Sequence, residues 1–121
     1  MTVVLDHLIV RARAGLRSAQ FLAGLLGTSV GERVGPFVPV AINGDLTLDF
    51  DDRHEFVAGH YAFLVDDETL ARAIDFVRSE GAEYGSGLGK GWDRQVGVES
   101  HGRRVYVRDP DGHSYELLTR N

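Results

Sequence analysis

Four residues of metal-ligating or proton-transferring type fall in stretches that otherwise read as apolar strands: His7, Asp49, His60 and Glu116. His7 interrupts the apolar run of residues 3–10, and His60 opens the run of residues 60–65. Glu116 stands between Tyr115 and Leu117, where an unpaired buried carboxylate would be costly, so it needs a partner. The four form two similar pairs. His7 and Asp49 are 42 residues apart, His60 and Glu116 are 56 apart, and each pair sets a first-strand histidine against a last-strand carboxylate. Two imidazoles with one or two carboxylates are an N/O donor set suited to a divalent Mn, Fe, Co, Ni or Zn ion. A three-ligand version leaves coordination positions open for substrate, as catalysis requires. The chain has no cysteine, which excludes thiolate sites, disulfides and Cys nucleophiles.

The elements that must position these residues follow from periodicity and breakers. Residues 3–10 alternate as a strand, with Val3, Leu5, His7 and Ile9 on one face. Residues 16–26 have helical spacing and stop at Gly27. Extended pieces are predicted at 29–34, 37–42 and 46–50, the last two joined by the hairpin signal Asn43-Gly44-Asp45. Thr47 and Asp49 face opposite to Leu46, Leu48 and Phe50. Polar residues 51–59 form a linker, and then the order begins again. A strand at 60–65 leads to a helix capped at Asp67, with Leu70, Ala73, Ile74 and Val77 on its inner face and an end near Gly81. Residues 81–94, with glycines at 81, 85, 87, 89 and 91, form a mobile loop with a short strand near 82–84. Strands at 95–100, 105–108 and 114–118 complete the chain, the last pair joined by Asp109-Pro110-Asp111-Gly112, a strong turn signal.

The chain therefore reads βαβββ twice: an α+β fold of two modules with mixed sheets, module one over about 1–51 and module two over about 60–121, together one domain of 1–121. The difference of 14 residues between the two His-to-carboxylate spans is about the size of the glycine-rich loop. Two such modules side by side would converge their first and last strands on a cupped cleft and gather the four residues there. Composition agrees with a small soluble domain, at 43% hydrophobic and 26% charged. The net charge of −5 speaks against a nucleic-acid partner. No apolar run is long enough to span a bilayer and the N-terminus lacks a signal-peptide layout, so a cytoplasmic location is expected.

With these residues in place, the chain resembles the vicinal oxygen chelate superfamily, which includes glyoxalase I, fosfomycin resistance enzymes, extradiol dioxygenases, methylmalonyl-CoA epimerase and bleomycin-binding proteins. The resemblance covers nearly the whole chain and is carried by Leu5-Asp6-His7-Leu8-Ile9-Val10, by His60-Tyr61-Ala62-Phe63-Leu64-Val65, and by residues 106–117 around the Asp-Pro-Asp-Gly turn. It implies that His7, His60 and Glu116 bind one divalent metal ion (Zn, Ni, Mn, Co or Fe). Asp49 is implied as a fourth ligand, where glyoxalase I uses a Glu, or as a base, since Asp is one methylene shorter. The resemblance also implies a homodimer, with the two modules of a site drawn from one chain or exchanged between two.

The function implied is that of a metal-dependent enzyme binding a small oxygen-rich substrate through vicinal oxygens. Proton abstraction with lyase or isomerase chemistry is the favoured form, with Asp49 or Glu116 moving the proton. Two alternatives stay open: an Fe(II) extradiol dioxygenase, and a non-catalytic protein that sequesters an antibiotic of the bleomycin kind. A fosfomycin-resistance role lacks matching phosphonate-binding residues. His101, in a turn near the last strands, is a candidate acid or base. Lys90, Trp92 and Arg94 are candidates to close over substrate. His113 is expected to be exposed after the turn glycine, and Arg103 and Arg104 are expected to be solubility charges on an edge strand.

Overall fold

The computed structural model describes residues 2–120, and the chain divides into two compact units, residues 1–58 and 59–121. The order of elements is β1 (His7–Arg11), α1 (Gly15–Leu26), β2 (Val38–Ala41), β3 (Thr47–Asp51), β4 (His60–Leu64), α2 (Asp67–Glu80), β5 (Tyr84–Gly85), β6 (Gly97–Glu99), β7 (Gly102–Arg108) and β8 (Ser114–Leu118). Each unit has one mixed sheet and one helix, which bears out the α+β reading.

In the first unit the sheet order is β1-β3-β2, with β1 parallel to β3 and β2 antiparallel to it. Alternation sends Val10, Val38, Val40, Leu48 and Phe50 to one face, where all are buried along with Ala19, Leu22 and Leu25 of α1. Burying a side chain of this size contributes about 1.5–3 kcal/mol, so this face holds the sheet and helix in place. His7, Ile9, Thr47 and Asp49 take the opposite face by the same alternation. The helix ends where expected: Gly27 is left-handed at φ 75°.

In the second unit the order is β4-β8-β7-β5, with β6 also paired to β7. Val105, Val107, Tyr115 and Leu117 lie on one face and are buried, as are Leu70, Ala73, Ile74 and Val77 of α2. His60, Glu116, Tyr106 and Arg104 share the other face.

Several local expectations need correction. The first strand begins at His7, and residues 3–5 are exposed without strand pairing. Residues 29–34 form no named strand: Val30 bridges Val40 of β2, the Gly31 amide donates to the Pro39 carbonyl at 2.9 Å, and Val34 bridges Phe37, so the pairing does not extend into a ladder. Helix α2 is capped by Asp66, whose carboxylate accepts from the Thr69 amide at 2.8 Å, and Asp67 is the first helical residue. The short strand in the glycine-rich segment lies at Tyr84–Gly85.

His113 is fully buried, not exposed. The buried Asp109 carboxylate accepts the backbone amides of Asp111, Gly112 and His113 at 3.0, 2.7 and 2.8 Å, folding the turn inward. The His113 ring then accepts the Gly59 amide at Nδ1, 2.8 Å away. Arg103 and Arg104 are not on an edge: β7 is flanked by β8 on one side and by β5 and β6 on the other.

Candidate metal centre

The second unit brings His60 and Glu116 together. Parallel pairing of β4 with β8 sets His60 opposite Ser114 and Ala62 opposite Glu116, so His60 and Glu116 are diagonal neighbours on one face. His60 Nε2 lies 3.0 Å from Glu116 Oε1, and His60 Nδ1 lies 3.3 Å from Ser114 Oγ. The carboxylate can only accept, so the 3.0 Å contact is a hydrogen bond donated by Nε2–H, and Nδ1 then accepts from the Ser114 hydroxyl, which orients the ring. Tyr106 packs beside the imidazole, with ring centroids 6.0 Å apart. The Glu116 side chain is only 12% exposed, and its second oxygen faces Arg104 Nε at 3.6 Å.

The first unit repeats this register. His7 stands opposite Thr47, as His60 stands opposite Ser114, and Asp49 follows two residues later, as Glu116 does. His7 and Asp49 thus share a face; the His7 pKa is held above its ordinary value chiefly by Asp6, with a smaller contribution from the charge of Asp49. The largest cause is the hydrogen bond from His7 Nδ1 to Asp6 Oδ2 at 2.9 Å. Asp51, two residues beyond Asp49, is buried and bound by Arg53 through Nε at 3.0 Å and Nη2 at 3.1 Å. That pairing holds the Asp51 carboxyl down at about 2.

Each unit therefore sets one His and one carboxylate at matching register positions; His60 bonds Glu116, His7 bonds Asp6, and no group of three or more His, Asp or Glu able to hold a metal ion occurs among the described residues. The donor chemistry of the second unit fits a divalent ion. His60 Nε2 and Glu116 Oε1 are an N/O donor pair of the type that binds a divalent ion, held 3.0 Å apart by their own hydrogen bond. His101 lies in the turn between β6 and β7, exposed, with the neighbouring Ser100 hydroxyl 3.3–3.4 Å from its ring nitrogens.

The glycine-rich segment is organised by Asp93, whose carboxylate accepts the amides of Ser86 and Gln95 and the Ser86 hydroxyl. Arg94 lies over the Tyr84 ring at 5.0 Å, while Lys90 is exposed and Trp92 is 37% exposed. Tyr61 and Tyr115 face away from the donors, ring to ring at 6.0 Å, and burial pushes both phenol pKa values up.

Sequence reasoning missed Arg104, Tyr106 and Ser114. Their signal was present in the alternation of β7 and β8 about Glu116, and became readable only once β7 was known to be internal.

Comparison with solved structures agrees with this architecture. The chain is 37% identical to "Oxidase ChaP-H2", covering 100% of this chain and 96% of that one, with a TM-score of 0.91. It is also 37% identical to "Oxidase ChaP-H1", covering 99% and 98%, at a TM-score of 0.89. The fosfomycin resistance protein FosX from Mesorhizobium loti shares the fold at 22% identity, 100% and 95% coverage and a TM-score of 0.72. No protein-family model matches the sequence, and no curated protein sequence does. The chain belongs to the vicinal oxygen chelate superfamily.

Proposed function

We propose that the chain is a cytoplasmic, homodimeric, metal-dependent oxidase of a small oxygen-rich molecule, with His7, His60 and Glu116 as the ligands of one divalent ion. The observation that carries the reading is the 3.0 Å approach of His60 Nε2 to Glu116 Oε1, on a chain alike over its whole length to two proteins named as oxidases. Two His and one carboxylate is the facial set associated with Fe(II) oxygen chemistry. An ion bound there supplies Lewis-acid capture of two neighbouring substrate oxygens and, when it is iron, a path for electrons to dioxygen.

The protein's own residues do the rest. Ser114 fixes the ring of His60, Arg104 stands behind the second oxygen of Glu116, and Tyr106 walls the donor pair on one side. A non-catalytic sequestering role makes no use of this donor pair. The position of Asp49 supports a second reading. It sits on the His7 face, in the register that Glu116 occupies in the other unit, where a carboxylate can accept a proton α to a carbonyl. Lyase or isomerase chemistry would follow from that role.

Elemental analysis after controlled loading with Fe(II), Co(II), Ni(II) and Zn(II), followed by oxygen-uptake assays on a panel of catechols and 2-hydroxyketones, tests the proposal. Oxygen uptake with iron supports the oxidase reading. Turnover with nickel or zinc and no oxygen uptake supports the proton-transfer reading. A protein that binds no divalent ion under any loading condition overturns both.

A further inference from the structure

A cavity of ≈ 280 Å³ opens in the second unit, lined by Glu99, His101, Arg104, Leu118 and Arg120 among others. Arg104 and Leu118 are direct cross-strand partners, and both share the sheet face of Glu116. The cavity is thus one step along the strands from the donor pair. Arg104 joins the two places. Its Nε is buried without a hydrogen-bond partner, and the 3.6 Å to Glu116 Oε2 is too long for one. Its Nη2 donates to Glu99 Oε2 at 3.3 Å, on a side chain that is 47% exposed, and the guanidinium also hydrogen-bonds Tyr106. Nε and Nη2 form one edge of the guanidinium, the edge that grips a single carboxylate through two parallel hydrogen bonds. Here Nη2 is held by Glu99 and Nε faces Glu116 without reaching it, so neither carboxylate takes both donors.

We propose that this fork is the receptor for a carboxylate on the substrate, and that Arg104 determines specificity for acids over their neutral analogues. The proposal rests on the ion-binding reading above in one respect: an ion held by Glu116 commits that carboxylate's charge and frees the fork from it. Glu99 turns into solvent as the substrate carboxylate arrives, and Leu118 packs against the carbon skeleton. A cavity of this size takes a ring-sized acid.

The test uses benzoate and its neutral match, benzyl alcohol, followed by nuclear magnetic resonance on the full chain. Zn(II) is added first, and the His60 ring signals report whether an ion binds. Absence of any shift there counts against the ion-binding reading. Benzoate is then titrated into both the zinc-loaded and the metal-free protein. The expected result is a shift of the Arg104 Nε–H signal and of the Gly102 and Thr119 amides with benzoate and not with benzyl alcohol. Zinc should tighten benzoate binding about tenfold, the size of effect expected from one charge-assisted contact.

Arg104→Met should lose the benzoate response by at least about tenfold, in the metal-free protein as in the zinc-loaded one, while its amide spectrum stays folded. Arg104→Lys, which keeps the charge and loses the fork, should also bind benzoate more weakly than the unaltered chain. A benzoate response absent from both forms of the protein, or undiminished in Arg104→Met and Arg104→Lys, overturns the proposal whatever zinc does.

Discussion

His60 Nε2 and Glu116 Oε1 stand 3.0 Å apart, although 56 residues separate them in sequence. Parallel pairing of β4 with β8 creates that contact, and the buried turn of Asp109 and His113 sets the start of β8 beside the start of β4. The Ser114 amide donates to the Gly59 carbonyl at 3.0 Å while the Gly59 amide donates to His113, so the residue before His60 is held from two sides.

Removing either donor should abolish tight ion binding. Glu116→Gln keeps the volume and loses the charge, and His60→Ala loses the nitrogen. Each is expected to weaken divalent-ion affinity by at least about 100-fold, since even outer-sphere losses reach that size. Isothermal titration on the folded variants gives the answer, and unchanged affinity in both would remove this pair from the site.

His113→Leu should cost about 1–3 kcal/mol, because the part-buried Gly59 amide would lose its acceptor. Urea unfolding measures the loss. The same variant should weaken ion binding less than His60→Ala does, since it disturbs the frame of His60 and leaves the imidazole present.

The Asp51–Arg53 pair predicts an acid-dependent term in stability. The carboxyl titrates at about 2 in the folded chain against 3.8 unperturbed, because Arg53 hydrogen-bonds its ionised form. A lowered folded pKa gives stability that is fully present above the unfolded value and is lost as pH falls through the folded one. The stability gap between the unaltered chain and Asp51→Asn should therefore be constant above about pH 5 and shrink between about pH 4 and 2. Denaturant midpoints across that range check it, and a gap independent of pH would contradict the pairing.

Gly102→Ala should be among the most damaging single substitutions. Gly102 has φ 152°, and a Cβ there would collide with the Thr119 carbonyl across the sheet. A loss above about 4 kcal/mol is expected, enough to unfold a marginally stable domain. Circular dichroism and thermal melting would show it.

A homodimer is expected, so sedimentation at micromolar concentration should give the mass of two chains. A single-chain mass would contradict it. Mixing His7→Ala chains with Glu116→Gln chains then tells where the site is built. Recovery of ion binding in the mixture means that His7 of one chain serves His60 and Glu116 of another, and no recovery means one chain supplies all three.

The repeat of elements and the pairing of a first-strand histidine with a last-strand carboxylate were legible because both rest on local signals. Helix α1 announced itself by the spacing of Ala19, Leu22 and Ala23 and by Gly27, and β3 by the alternation of Leu48 and Phe50 with Asp49. Residues 29–34 misled because their extended character is local while a strand needs a ladder partner. His113 misled because a turn glycine usually marks the surface, and here Asp109 folds the turn inward.

By itself the sequence determined which residues share a face, since alternation along a strand has a fixed period of two. That was enough to put Glu116 with neither Tyr115 nor Leu117, and Asp49 apart from Leu48 and Phe50. Only the tertiary structure decided register and neighbourhood: that Glu116 meets His60 and not another residue of β4, that β7 is internal, and that Arg104 stands between the donor pair and a cavity. Those facts depend on pairing between distant segments, where a shift of one residue would send every side chain to the other face.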